Sequence, residues 1–236
     1  MARPSIHEWR VAARLVGLAV AALAACGEVS VDPPGTDSGT GSQPDGSPDP
    51  QADAMPIEVV DARPPGDCEG GTVQLLTNPS FEDAMLPDGA IGWTEIPPPV
   101  TYPSAQIPVP PDDGNRAVWI GDITRPEQRL IQAVIVPDEA TSLALSVATC
   151  FATLEAPDEE FDEVRISLRQ GGNVLEELAR FTNLDASSGC DWDNQVLIAE
   201  SAYAGEEIQL EFAGLSDGET LTSFYFDTLS LNATCP

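Results

Sequence analysis

Carboxylates are the reactive groups this chain carries in quantity. Asp and Glu number 39, against ten arginines and no lysine, and the one histidine is His7. Two acidic runs, Asp158-Glu159-Glu160 and Asp162-Glu163, place carboxylates close together. A carboxylate pair can hydrolyse a glycosidic bond without histidine. Charge runs in loops are more often solvated surface, and a sequence sets no distance between two carboxyl groups. A carboxylate-based glycoside hydrolase is therefore the remote alternative, and the chain is read as non-enzymatic. His7 lies in a basic, apolar N-terminal stretch laid out as a signal peptide. Downstream of it the chain has neither histidine nor lysine. That removes Ser-His-Asp and Cys-His nucleophile activation, histidine-ligated zinc, Schiff-base lysines and the P-loop lysine.

The leader sets the compartment. Arg3, Arg10 and Arg14 form its basic region, and Leu15–Leu23 its apolar run. That run falls short of the roughly 20 apolar residues that span a bilayer. Leu23-Ala24-Ala25-Cys26 resembles a bacterial lipobox. The resemblance implies that residues 1–25 are removed and that Cys26 becomes the first residue, carrying a covalent diacylglycerol and an acyl chain. Several chains anchor stably where one is marginal. Gly27 follows the cysteine where Asp often signals inner-membrane retention. The expected address is thus the outer membrane of the cell envelope, with the domain facing the surface or the periplasm.

Removing the leader takes away three arginines and Glu8, leaving 7 basic and 38 acidic residues, a net charge of −31. Such a surface repels phosphate backbones and excludes nucleic acid as a partner. Residues 26–67 read as a lipid-anchored acidic linker rich in Pro, Gly, Ser and Asp, too poor in apolar residues to bury a core. Its plain role is a spacer.

Residues 68–236 are long enough for one domain with a real core. Turn clusters separate β-rich runs at 73–77, 117–123, 130–136, 143–153, 163–169, 195–200, 207–212 and 224–231. Val164, Ile166 and Leu168, and again Ile208, Leu210 and Phe212, alternate with polar residues. Such stripes bury one face of a strand. The segment 174–181 has some helical propensity but is read as a strand. About eight strands at this spacing predict an all-β, antiparallel sandwich. With Cys26 assigned to lipid, Cys68, Cys150, Cys190 and Cys235 remain, an even number that favours disulfides in an exported domain. Four cysteines allow three pairings.

Six motifs in order carry a further resemblance. They are Asn78-Pro79-Ser80-Phe81-Glu82 with Gly92-Trp93; Gly114–Gly121; Leu130–Pro137; Phe161-Asp162-Glu163-Val164; Tyr203–Phe212; and Phe224–Leu231. Together they resemble carbohydrate-binding-module-like and MAM-like jelly rolls of the galactose-binding-like superfamily, over nearly all of 70–232. Fold alone does not name a ligand, since this superfamily holds sugar binders, adhesion modules and structural domains. The first and last strands are neighbours in many jelly rolls, which favours Cys68–Cys235 and leaves Cys150–Cys190. Many of these domains hold a structural calcium near those strands. The resemblance puts its ligands at Glu82 and Asp227, with Asp113 as a weaker third, although Thr228 stands where a second Asp is common. Trp93 and Trp192 match positions that usually pack in the core. Val118 and Ile120 suit the core as well, which turns Trp119 to the opposite face. Trp119, with Tyr102 from a proline-rich loop, is therefore the expected platform for stacking on a sugar ring. The expected role is a surface-displayed binding or adhesion domain for a glycan or another surface protein. The alternative is a structural envelope lipoprotein without a small ligand.

Overall fold

The computed structural model describes residue 68 and residues 70–85, 89–122, 124–187 and 189–236. The leader, Cys26 and the linker lie outside the described residues.

Among the described residues thirteen strands and two single-turn 3-10 segments (Ser104–Gln106 and Asn183–Asp185) follow one another. The strands are β1 (Gly71–Gln74), β2 (Ala84–Met85), β3 (Gly89–Ala90), β4 (Thr94–Ile96), β5 (Thr101–Pro103), β6 (Arg116–Ile120) and β7 (Glu127–Ile135). Then come β8 (Ser142–Thr153), β9 (Glu163–Gln170), β10 (Asn173–Thr182), β11 (Asp193–Ile198), β12 (Glu207–Leu215) and β13 (Thr222–Cys235). Among the described residues one large sheet has the order β11-β8-β13-β6-β5, with β1 also paired to β13; the other large sheet has the order β10-β9-β12-β7-β4, and β2 and β3 pair as a separate two-stranded ribbon. The pairings within both sheets are antiparallel. The result is the antiparallel sandwich that the alternating stripes predict. Each of the eight β-rich runs overlaps a strand, the first of them only at Val73 and Gln74, and 174–181 lies inside β10.

The core is the dry layer between the sheets. Val164, Ile166 and Leu168 of β9 and Ile208, Leu210 and Phe212 of β12 meet Leu143, Leu145 and Val147 of β8 there, all at zero exposure. Alternation predicts one inward parity per strand. In β13 the parity changes. Phe224 and Phe226 point inward, but so do Leu229, Leu231 and Ala233. The pairing with β8 explains it: Asp227 faces Ala148 and Ser230 faces Ser146, so three steps on β13 match two on β8. This is a β-bulge, which adds one residue and switches face. Thr228 takes φ 50° to make it.

Cys68 is joined to Cys235 and Cys150 to Cys190, with Cα–Cα separations of 5.6 and 5.0 Å. The first bond lies beside the β1–β13 pair, where Gly71 faces Cys235. The second ties the middle of β8 to the loop before β11.

Candidate functional site

The bulge in β13 sets the first candidate site. It seats Asp227 at zero exposure among three loops. Asp227 accepts the Asp113 N–H at 3.0 Å and the Thr228 N–H at 2.7 Å. Thr228 donates its hydroxyl to Asp112 at 2.9 Å. Glu82 holds the same 112–116 segment, its Oε1 accepting the N–H groups of Asn115 and Arg116 at 2.8 and 2.9 Å. Gly114 makes room for it, since a Cβ there would stand 2.5 Å from the Glu82 carboxyl. Burial pushes the Asp227 carboxyl up to about 6, even though the N–H groups of Asp113 and Thr228 pull it back down. Glu82, Asp113 and Asp227 are thus at one set of loops, Asp113 through its backbone N–H. Each N–H satisfies a carboxylate lone pair that a cation would otherwise use. The arrangement braces the 78–83 and 112–116 loops against β13.

The outer face of the six-stranded sheet is the second candidate. Trp119 on β6 and Tyr225 on β13 are register partners. Their rings stack at 6.1 Å, and Tyr102 on β5 lies 5.4 Å from Trp119. Tyr225 is buried while Tyr102 and Trp119 are half-buried, beside Ile107, Ala117 and Cys150. Parity explains the row: residues 118, 120, 224 and 226 face inward, so 119 and 225 face out. Trp119 donates its indole N–H to Ser223 at 3.1 Å, and Tyr102 donates its hydroxyl to the Pro99 carbonyl at 2.8 Å. Arg125 donates to the same carbonyl at 3.0 Å and pairs with Asp122 at 3.6 Å. Burial raises the Tyr102 hydroxyl above its ordinary value, Arg125 opposes this, and Asp122 and Glu95 add to the rise.

One tryptophan departs from expectation. Trp93 is in the inter-sheet core against Phe81, with ring centres 5.3 Å apart. Trp192 is not in that core. It is half-buried against the outer-face cluster and donates its indole N–H to the Pro110 carbonyl at 2.9 Å. It precedes β11 next to the Cys190 bridge, so it pins the 104–113 loop onto the sheet instead of entering the sandwich.

A cleft of about 270 Å³ opens beside this cluster. Phe151 and Phe181 line it together with Thr149, Asp185, Asp191, Asp193 and Gln195. Asp185 accepts the Thr182 N–H at 2.8 Å, and Asp193 accepts from Gln195 at 2.7 Å.

The acidic runs divide. Asp158, Glu159 and Glu160 are exposed, Asp162 is buried, and Glu163 is half-buried. Arg180 bridges Glu160 and Glu163 at 2.7 and 2.6 Å, and Arg165 reaches Glu163 at 2.8 Å. Burial disfavours the Glu163 anion, but the two arginines outweigh it and hold the carboxyl below its usual range.

Sequence reasoning missed two buried brackets. Glu95 is 9% exposed; its carboxylate accepts from the N–H groups of Ala90, Val100 and Thr101 and from the Thr101 hydroxyl. Gln132 accepts the Thr77 N–H at 2.7 Å and donates to the carbonyls of Thr77 and Gly92, both at 2.9 Å. Gln132 lies within the Leu130–Pro137 motif, but its partners at Thr77 and Gly92 are 40 or more positions away and leave no local pattern.

No protein-family model matches the chain, and no curated protein does. Solved structures of similar fold include the carbohydrate-binding module TmCBM61 in complex with beta-1,4-galactotriose (TM-score 0.43, 15% identity, 67% of this chain and 97% of that one). The CBM22-1 xylan-binding domain of Paenibacillus barcinonensis Xyn10C gives a TM-score of 0.41 at 13% identity, over 66% of this chain and 92% of that one. The K3 cleaved adhesin domain of Lys-gingipain from Porphyromonas gingivalis W83 gives 0.42 at 10% identity, over 69% and 99%.

Proposed function

We propose that this chain is a non-catalytic, surface-displayed lipoprotein whose sandwich domain binds a neutral glycan on the outer face of its six-stranded sheet. The observation that carries this reading is the half-buried Tyr102–Trp119 pair, 5.4 Å apart, flanked by Arg125 and Asp122. Aromatic faces offer stacking area, and charged or amide groups beside them take hydroxyls. Both rings are already held by their own hydrogen bonds, so little side-chain entropy is lost on contact. The net charge of −31 left after the leader is removed argues against a polyanion and leaves neutral glycans open. Cys26 as lipid anchor and residues 26–67 as spacer would place this face away from the membrane. Glu82 and Asp227 serve as loop braces in this reading, with no calcium required of them.

The test is retention on neutral polysaccharides in affinity gels and on glycan arrays. Trp119→Ala is expected to weaken retention about tenfold, the worth of one good aromatic contact, with circular dichroism unchanged. Blank arrays, or a Trp119→Ala variant that binds as before, would overturn the glycan reading. Mass spectrometry of the envelope protein checks the anchor: an unacylated N-terminus other than Cys26 refutes it.

A second reading has its own support. Trp119, Tyr102 and Trp192 each donate to the protein's own groups, Ser223, Pro99 and Pro110. Those bonds also fit a purely structural envelope domain whose aromatics fasten a loop to the sheet.

A further inference from the structure

A separate group of carboxylates lies where the β8–β9 connection meets the β12–β13 connection. Glu155 follows β8, Asp162 precedes β9 and Asp217 follows β12. One oxygen from each lies within 4.8 Å of the others, the one such acidic group of three among the described residues. Asp162 is 1% exposed. Its Oδ1 accepts the Asp217 N–H at 2.9 Å. Its Oδ2 is buried and has no hydrogen-bond partner, and neither has Oε1 of Glu155. Only two other buried side-chain atoms among the described residues are left unpartnered, Arg116 Nε and Gln128 Nε2.

An unpartnered buried carboxylate oxygen is costly, and crowding three carboxylates adds repulsion. Among the described residues no arginine is paired with this group. The ion pairs among the described residues join Arg125 to Asp122, Arg129 and Arg169 to Glu211, Arg165 to Glu163 and Glu177, and Arg180 to Glu160 and Glu163. Glu219 adds further negative charge close to Glu155.

We infer that Glu155, Asp162 and Asp217 form a calcium site that fastens the two sheets together at this end of the sandwich. The donors are carboxylate oxygens alone, which select a hard cation over zinc or copper. Calcium–oxygen distances of about 2.3–2.6 Å put ligands on opposite sides of the ion about 4.6–5.2 Å apart, whereas magnesium would draw them to about 4.0–4.2 Å. Oxygens that all lie within 4.8 Å of one another are close enough to share one such ion. Water and backbone carbonyls would complete the six to eight ligands. The placement gives the ion a mechanical role. Glu155 extends from β8 of one sheet, and Asp162 and Asp217 from β9 and β12 of the other. The Leu154 N–H already bonds the Leu221 carbonyl at 3.0 Å, which draws the two connections together. This site shares no residue with the Glu82–Asp113–Asp227 loops.

Calorimetric titration of CaCl2 into the chelator-treated full chain tests the inference. The expected result is one calcium per chain, with a dissociation constant of about 10⁻⁵–10⁻³ M, a melting temperature that rises with calcium, and at least tenfold weaker magnesium binding. Asp217→Asn keeps the backbone N–H that serves Asp162, and Asp217 is exposed, so the fold should persist. It is expected to lose at least tenfold in calcium affinity while Glu82→Gln titrates like the wild type. The inference is overturned if about 5 mM CaCl2, well above that range, gives neither heat nor a melting shift. It is equally overturned if Glu82→Gln abolishes binding and Asp217→Asn does not. A third overturning result is an Asp217→Asn chain that melts higher in chelator while the wild type ignores calcium; the three carboxylates would then be sharing a proton.

Discussion

Asp227 holds its loops with a carboxylate that the interior resists ionising. It titrates at about 6 in the fold and near 3.9 in an unfolded chain. Below about pH 4 both states carry the proton. Between about pH 4 and 6 the unfolded chain gives it up first, so the fold loses stability across that window and carries a constant penalty above it. A shift of about two units corresponds to about 3 kcal/mol. Asp227→Asn lacks this titration. Its stability relative to the wild type is therefore expected to rise by about 2–3 kcal/mol between about pH 4 and 7, read from urea unfolding at several pH values; parallel pH profiles would refute this account. The motif Phe224–Leu231 marked Asp227 as special, and alternation correctly turned Trp119 away from the core. Neither revealed that Asp227 answers the backbone N–H of Asp113, more than a hundred positions away. The reach of Glu95 and Gln132 was hidden for the same reason: a buried polar side chain is explained by the partners the fold brings to it, and those leave no local pattern.

At the scale of elements, strands with strong alternation were legible and the short ones were not. β4 and β5 are three residues each and flank Pro97-Pro98-Pro99. Their pairing depends on β7, β6 and the Glu95 bracket, so no window of sequence announces them. The β13 bulge lies between legible and illegible, because Phe224 and Phe226 against Leu229 and Leu231 already break parity in the sequence. Two glycines show what an element boundary tolerates. Gly121 ends β6 at φ 114°, and a Cβ there would overlap the Thr222 carbonyl oxygen. Gly171, in the two-residue turn between β9 and β10, has φ 55° and open space around it. Gly171→Ala should cost only the left-handed penalty of about 1–2 kcal/mol. Gly121→Ala should cost more than about 3 kcal/mol or prevent folding, because β6 would have to separate from β13. Thermal melts of the two variants check this; equal losses would contradict the packing at Gly121.

For the whole molecule, the chain-entropy rule and the structure disagree about which disulfide matters more. Cys68–Cys235 spans 167 residues and Cys150–Cys190 spans 40, for which the entropy relation gives about 5 and about 4 kcal/mol. That relation assumes both ends are fixed in the native state. Cys68 precedes β1, a four-residue strand that is mostly exposed. The chain is held independently just beyond it by buried Leu75 and Leu76, with the Leu75 N–H on the Leu231 carbonyl at 2.9 Å. Without the bond, β1 can fray alone and recover entropy, so the loss is limited to the local stability of that strand. Cys150 is buried in the outer-face cluster beside Tyr225, and its bond holds the loop that carries Trp192 and lines the cleft. Opening it releases Trp192 from Pro110 and loosens the 104–113 loop over the same sheet face. The double variant Cys68→Ser/Cys235→Ser is therefore expected to lose about 2 kcal/mol or less, and Cys150→Ser/Cys190→Ser about 3–4 kcal/mol, in denaturant titrations. The reverse order would mean that β1 is a clamp on the whole sandwich. The expected order means that stability is concentrated around the outer face of the six-stranded sheet, where the proposed ligand contacts also lie.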